Sequence, residues 1–363
     1  MTAKCPPPTD AFRDLARIFT TRGGRILEFE ILLPGLGPIL EDDGAVGVSK
    51  KYLVQAFVTA RQIFFDSLKA NPNYTGGATF SGSSNHEVHG EDANKGVAVA
   101  SEIILLFDCE HLTACNWRKK RLSALFNSDE EALIHALNIE LSLMTTFLCS
   151  PLHRHTKSPT LWHHRQWIQL QVIRLRKPDF QGVQEILQGE LSIALRAGEL
   201  HPRNYYAFSY IRQMHRILSE LGQENSEAWS VQLAQFIVRP TLDWCILHPG
   251  DISGLMFLLY LLDAVPDAAL RLETVTRMVR YALDTDWERE SIWTFIDLAN
   301  RKFNLLESLG DSPAYPWSAL RDCALSDSPQ QGEIKAGPSW KTWLGRARIH
   351  WSQSPQFTHI PPA

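Results

Sequence analysis

A helix-cap residue followed four positions later by a large apolar side chain recurs in this chain at nearly constant spacing. Ser158 stands four before Trp162, Asn204 four before Phe208 and Asp251 four before Leu255, and the apolar members lie 46 and 47 residues apart. Ser, Asn and Asp accept hydrogen bonds from the open N–H groups of a helix start, so each copy reads as the beginning of a helix. His201-Pro202 and His248-Pro249 recur 47 apart, just ahead of two of those caps. Upstream, Cys115 precedes Trp162 by 47 residues within HLTACNWRKKR, and downstream Trp293 in ESIWTFIDLANRKF is a looser copy. A period near 46 leaves room for two helices per unit, each pair exposing an apolar face that its neighbour covers. The expected fold is therefore all-α: a right-handed α-α helical-pair solenoid of the TPR-like kind, crescent shaped. The competing arrangement is an irregular helical bundle.

Local signals agree with paired helices. Ser128-Asp129-Glu130-Glu131 reads as a capping box ahead of the stripe Leu133, Leu137, Leu141, Met144 and Leu148, stopped by Pro151. Ser158-Pro159 is a cap with proline at the first helical position. A further helix is expected from about Phe180 to Ala197, ending at Gly198 in a left-handed cap. Strand signals are few. The expected organisation is an N-terminal helical region over 1–110, repeats over 111–310, and a linker, capping helix and tail over 311–363. The first region contains a helix near Lys50 to Lys69, then a Gly/Ser/Asn-rich stretch at 71–95 with too few apolar groups to offset ordering, expected to be a disordered insertion. A linker is expected near Ser326 to Ser339. In the last helix, WKTWLGRARIHW, Trp340, Trp343 and Trp351 are expected to cover the end of the array.

Composition excludes more than it identifies. Lys and Arg number 36 against 40 Asp and Glu, so no bulk positive field recruits nucleic acid or an anionic membrane. Six scattered cysteines, with no CxxC pair, suit free thiols in a reduced compartment. The start, MTAKCPPPTD, has no basic-then-apolar leader, and the longest apolar run, Leu255 to Leu262, is far short of a bilayer span. A cytoplasmic location without a membrane span is expected. GxSxG, Walker, Rossmann and HExxH patterns do not occur, so a self-contained enzyme is not expected. Cys149, His153, His155, His163 and His164 cluster in sequence, but adjacent histidines on one helix point apart, and no metal site is assigned.

KSPTLWHHRQW (Lys157 to Trp167) and RNYYAFSYIRQM (Arg203 to Met214) resemble the repeats of protein prenyltransferase alpha subunits, which carry the tract Asn-Tyr-x-x-Trp-x-x-Arg-x-Trp. Trp162, Arg165 and Trp167 match the tract. In the second copy Phe208 replaces the tryptophan and Ile211 the arginine; in the earliest, Cys115 takes the tryptophan position while Arg118 is kept; in DISGLMFLLYLL both positions are leucine, Leu255 and Leu258. The resemblance covers roughly Leu112 to Phe303. With ILEFEILLPGLGPILEDDGAVGVSKKYLVQAFVTARQIFF it is nearest the divergent branch called prenyltransferase alpha subunit repeat-containing protein, whose members pair with the beta subunit of Rab geranylgeranylation.

On physical grounds Trp162, Arg165, Trp167, Phe208 and the caps Ser158, Asn204 and Asp251 read as structural: large aromatics fill gaps between helix pairs and an arginine three residues on shares their face. The resemblance implies a functional role for others. Lys157, five residues before the tryptophan, matches the family lysine that reaches the isoprenoid diphosphate, and a lysine ahead of a helix start suits that anion. Tyr205 matches a tyrosine lining the same face. Pro159 and Thr160 stand where family chains carry tyrosine and a glutamine near the acceptor's terminus, so Thr160 is the substrate-side position and departs from the pattern. The resemblance further implies a beta-type partner carrying the catalytic zinc, an isoprenoid diphosphate co-substrate and a protein acceptor with a C-terminal cysteine. The expected reaction is geranylgeranyl transfer by the heterodimer, not by this chain alone; the alternative is a non-enzymatic helical scaffold.

Overall fold

The computed structural model describes residues 10–70, 87–127, 129–305, 320 and 340–353. It is mostly helical, as the spacing requires, but its N-terminal part departs from an all-α chain. After α1 (Asp10–Thr21) come three strands, β1 (Glu28–Leu32), β2 (Ile39–Asp42) and β3 (Ala45–Ser49), in the order β1-β3-β2. The two outer strands have opposite senses. β2 and β3 form an antiparallel hairpin in which Asp42 faces Ala45. The two residues between them, Asp43 and Gly44, both have positive φ, at 36° and 93°. Asp-Gly supplies that pair of left-handed conformations at little cost, which is why it closes two-residue hairpins. β1 then joins β3 in parallel, Phe29 opposite Val46 and Ile31 opposite Val48.

The sheet is tied to a repeat helix. The N–H groups of Leu27 and Phe29 donate to Thr146 Oγ1 at 3.0 Å and Ser150 Oγ at 2.8 Å, and Phe29 stacks on Phe19 of α1 with centroids 5.4 Å apart. Next come α2 (Lys50–Ala70) and α3 (Glu87–Phe107), packed on each other. Residues 87–95, expected in a disordered insertion, form the first turns of α3; the expectation for 71–86 falls outside the described residues.

Further helices follow in sequence: α4 (Leu112–Ser123), α5 (Glu130–Leu148), α6 (Pro159–Arg176), α7 (Phe180–Leu200), α8 (Tyr205–Glu220), α9 (Ser226–Leu247), α10 (Ile252–Ala264), α11 (Ala268–Asp284), α12 (Glu290–Phe303) and α13 (Trp340–Gln353), with α5 packed on α6 and α9 on α10. The chain divides into two compact units, 1–214 and 215–363, and the boundary falls inside α8.

The three caps form as the side chains dictate. Ser158 accepts from the N–H of Leu161 at 3.1 Å, Asn204 from Ala207 at 3.2 Å, and Asp251 from Ser253 and Gly254 at 2.9 and 3.1 Å. A fourth cap keeps the register: His111, four before Cys115, accepts through Nδ1 from Ala114 at 3.2 Å. Trp293 is confirmed as a copy of Trp162 by an identical bond, since each indole N–H donates to the carbonyl six residues earlier, Trp162 to Thr156 at 2.9 Å and Trp293 to Trp287 at 2.7 Å.

Two boundaries differ from expectation. The cap of α5 is Asp129, accepting from Ala132 at 3.2 Å, while Ser128 lies outside the described residues. Helix α7 runs through Gly198, which is buried, and stops at His201. The helix has no left-handed terminus, since His201 at its end has φ near -139°. The expected stripe of α5 is buried at Leu133, Leu137, Met144 and Leu148 and half-buried at Leu141. In the second unit Trp343 donates to Asp297 at 3.0 Å, Trp351 to the Leu283 carbonyl at 3.0 Å and stacks edge-on to Trp293, so α13 covers α12 as the tryptophans suggest. The linker at 326–339 lies outside the described residues.

Candidate functional site

The repeat arginines are structural, and their partners give the first unit its internal order. Arg118 is 1% exposed and grips both oxygens of Glu140, at 2.7 and 2.6 Å, while its other amine donates to the Ala98 carbonyl and Ser101 hydroxyl. Arg165 repeats this on Glu190 at 2.7 and 2.8 Å, with its remaining amine on the Leu141 carbonyl and Thr145 hydroxyl. Each arginine thus joins its own helix to the preceding and the following one. The next repeat returns a donor to each glutamate from the position two after its core aromatic: His164 Nε2 donates to Glu140 at 2.8 Å and the Tyr210 hydroxyl to Glu190.

Burial opposes the charge of Glu140, but Arg118 and His164 outweigh it and hold the carboxyl well below the usual range. Trp162 and Phe208 are buried as expected, Trp162 packing on Tyr210 with centroids 4.8 Å apart. Trp167 is half-buried, beside His164 and under the ammonium of Lys119.

Lys157 belongs to a short 3-10 turn, His155–Lys157, that delivers the chain into α6. The turn is fixed from several sides. The Thr156 carbonyl accepts from the Trp162 indole and from Asn204 Nδ2, at 2.9 and 2.7 Å, and the Thr156 hydroxyl bonds His201 Nδ1 at 3.0 Å. His155, almost fully enclosed, donates to the Leu105 carbonyl at 3.0 Å; burial pushes its pKa down to about 4, so it is neutral at pH 7. From this frame the Lys157 ammonium emerges at the surface and donates to the Pro202 carbonyl at 3.0 Å, leaving two further N–H groups.

Around it stand His201, half-buried, and His153, exposed, with ring centroids 5.4 Å apart. Arg154 and Arg203 are exposed neighbours in the same two loops. Tyr205, the first residue of α8, is 67% exposed, so its hydroxyl is not spent on the core. The structure therefore brings Lys157 and Tyr205 to adjoining loop ends of successive repeats. Thr160 differs: its hydroxyl donates to Glu110 at 2.5 Å, an internal contact across the preceding loop.

The cysteine and histidine cluster does not converge. Cys149 points to the Ile193 carbonyl, His155 and His164 are engaged as described, and His163 is exposed on the other side of its helix. Among the described residues no three His, Cys, Asp or Glu side chains form a metal set, and no helix is long and apolar enough to cross a membrane. Four cysteines, Cys109, Cys115, Cys149 and Cys245, are free thiols.

Sequence spacing alone could not have paired Arg118 with Glu140 or Arg165 with Glu190. The offsets, 22 and 25 residues, differ because the loop lengths differ. The histidine pair was within reach, since His201-Pro202 belongs to the recurring dipeptide.

Comparisons with known proteins meet this geometry. Residues 187–218 match the family described as protein prenyltransferase alpha subunit repeat. That window holds Glu190, the Asn204 cap, Tyr205, Phe208 and Tyr210. A Danio rerio protein called protein prenyltransferase alpha subunit repeat-containing protein 1 is 28% identical over 177 residues, covering 45% of this chain and 36% of the relative. A Xenopus laevis protein, protein prenyltransferase alpha subunit repeat-containing protein 1-B, is 26% identical over 176 residues with the same shares. The chain spans about 36% of the length of the curated relatives it matches.

Proposed function

We propose that this chain, which carries a protein prenyltransferase alpha subunit repeat at 187–218, is the alpha-type subunit of a heterodimeric protein prenyltransferase acting in the cytoplasm. In this reading the helix pairs continue one another as a right-handed crescent around a beta-type subunit, for which the Rab geranylgeranyltransferase beta chain is the candidate. The single observation that carries it is the Lys157 turn, whose Thr156 carbonyl is held by Trp162 and Asn204 while the exposed ammonium bonds the Pro202 carbonyl, three residues before exposed Tyr205. The beta subunit would hold the zinc, which supplies the acceptor cysteine as thiolate.

The thiolate sulfur forms a bond to C1 of a geranylgeranyl diphosphate as the C1–O bond breaks, and the diphosphate leaves with the electron pair. Lys157 stabilises that growing negative charge as a point cation, and Tyr205 offers a hydroxyl to the same edge. Thr160 stands on the acceptor side of the site in this reading, its hydroxyl donating to Glu110.

Co-expression with prenyltransferase beta chains and an isoprenoid-transfer assay test the reading. The expected result is a one-to-one complex in which Lys157→Ala assembles normally but lowers kcat by about 10²-fold. Failure of every beta chain to co-purify would leave the second reading, a helical scaffold. The apolar residues at the arginine positions of the later repeats, Ile211 and Leu258, favour that alternative.

A further inference from the structure

We propose that His201 and His153 extend the anion site at Lys157, so that the chain takes up a proton when it binds a diphosphate. The inference rests on the reading of Lys157 given above and adds to it the residues that set affinity and its pH dependence.

Three bases meet at the ends of two successive loops. Lys157 Nζ is bonded to the carbonyl of Pro202, the residue after His201, and the His201 ring lies 5.4 Å from that of His153. Thr156 holds His201 by Nδ1, which fixes the ring plane and leaves Nε2 with no hydrogen bond to a described residue. His153 makes no hydrogen bond to a described residue through either nitrogen, and Arg154 and Arg203 lie next to the two loops in sequence and are exposed.

Burial pushes the His201 pKa below the ordinary histidine value, and the neighbouring His153 and Lys157 add to that push. The nearest carboxylate on the incoming helix, Glu199, is engaged with Arg196 at 3.0 Å. The free chain therefore disfavours the charged form of His201, first because the ring is partly buried and then because a further positive charge beside Lys157 is repelled. An oxyanion reverses that balance. Its negative charge favours the protonated form of His201 beside His153 and Lys157, so the proton bound on ligation strengthens binding as pH falls, by up to about tenfold per pH unit. A diphosphate fits three separated donors better than a single carboxylate does, since its oxygens are spread over two phosphoryl groups.

The test is calorimetric titration of the full chain with inorganic pyrophosphate at pH 6.0 and pH 8.0. It compares wild type with His201→Asn, His153→Gln and Lys157→Ala, with thermal melts as the check on folding. Pyrophosphate itself titrates over this range, so the informative quantity is the ratio of each variant's Kd to that of wild type at the same pH. The expected result is that His201→Asn and His153→Gln weaken binding at least about fivefold at pH 6.0 and by less than about twofold at pH 8.0. Lys157→Ala should weaken it at both. His153→Gln alters an exposed side chain, so it stays interpretable if His201→Asn unfolds. Histidine variants that match wild type at both pH values, with Lys157→Ala still impaired, would overturn the inference and leave the diphosphate role of Lys157 standing. No binding by wild type would overturn both, while the subunit reading would still be decided by co-purification.

Discussion

The repeats beginning at Cys115 and Trp162 and those beginning at Phe208 and Leu255 solve one packing problem with opposite chemistry. In the first pair an arginine, a glutamate from the following helix and a donor from the next repeat form a buried polar knot: Arg118, Glu140 and His164, then Arg165, Glu190 and Tyr210. In the later pair the corresponding sequence positions are apolar and buried. Ile211 and Leu258 take the arginine positions and Phe257 the position of His164 and Tyr210, while α9 buries Leu233, Ala234, Ile237 and Val238. The coordinated change teaches that the knot is one device. Losing one member alone would strand a buried charge, whereas exchanging all three for apolar groups of similar size costs little.

Breaking a knot should produce the largest effect. Arg165→Ile leaves Glu190 buried with only Tyr210 and Gln169 as donors and is expected to lower unfolding free energy by about 3–5 kcal/mol, read from the urea midpoint. The triple change Arg165→Ile, Glu190→Leu, Tyr210→Phe should recover most of that loss, to within about 1 kcal/mol of wild type; if it is worse than the single variant, the two regions are not interchangeable solutions.

A smaller, pH-dependent difference should separate wild type from Glu140→Gln. Because the folded-state pKa of Glu140 lies below its unfolded value of 4.5, its contribution is fully present above that pH and fades as pH falls below it. Urea melts from pH 7 to pH 3 should show the two proteins converging at the acid end. The smallest effect should erase the contrast altogether. Ser158→Ala in the first unit and Asp251→Ala in the second remove equivalent caps, and each should cost about 1 kcal/mol.

What could be read from the sequence was whatever is local. Caps at Ser158, Asn204 and Asp251 declare themselves because the acceptor lies within three residues of the N–H it serves. The position of Lys157 followed from the same register. The knots were hidden because their members come from successive helices and loops of unequal length. The sheet was overlooked for a mixed reason. β1 meets β3 in parallel across an intervening hairpin, which no periodicity reports, but Asp43-Gly44 between short apolar runs was a legible hairpin signal. Gly198 misled in the other direction, being a buried glycine near a helix end that the helix runs through. Thr160 shows what positional matching leaves out, since its hydroxyl donates to Glu110, 50 residues earlier.

The carbonyl of Thr156 receives one donor from its own repeat, Trp162, and one from the next, Asn204. A ligand arriving at Lys157 therefore meets a backbone whose conformational entropy was surrendered when the repeats folded, and only the side chain's own rotamers remain to be frozen on binding. Two residues that touch no ligand consequently share in setting affinity. If Lys157 holds an anion as proposed, a lesion at Trp162 or Asn204 mild enough to spare the fold would show itself first as weaker binding of that anion.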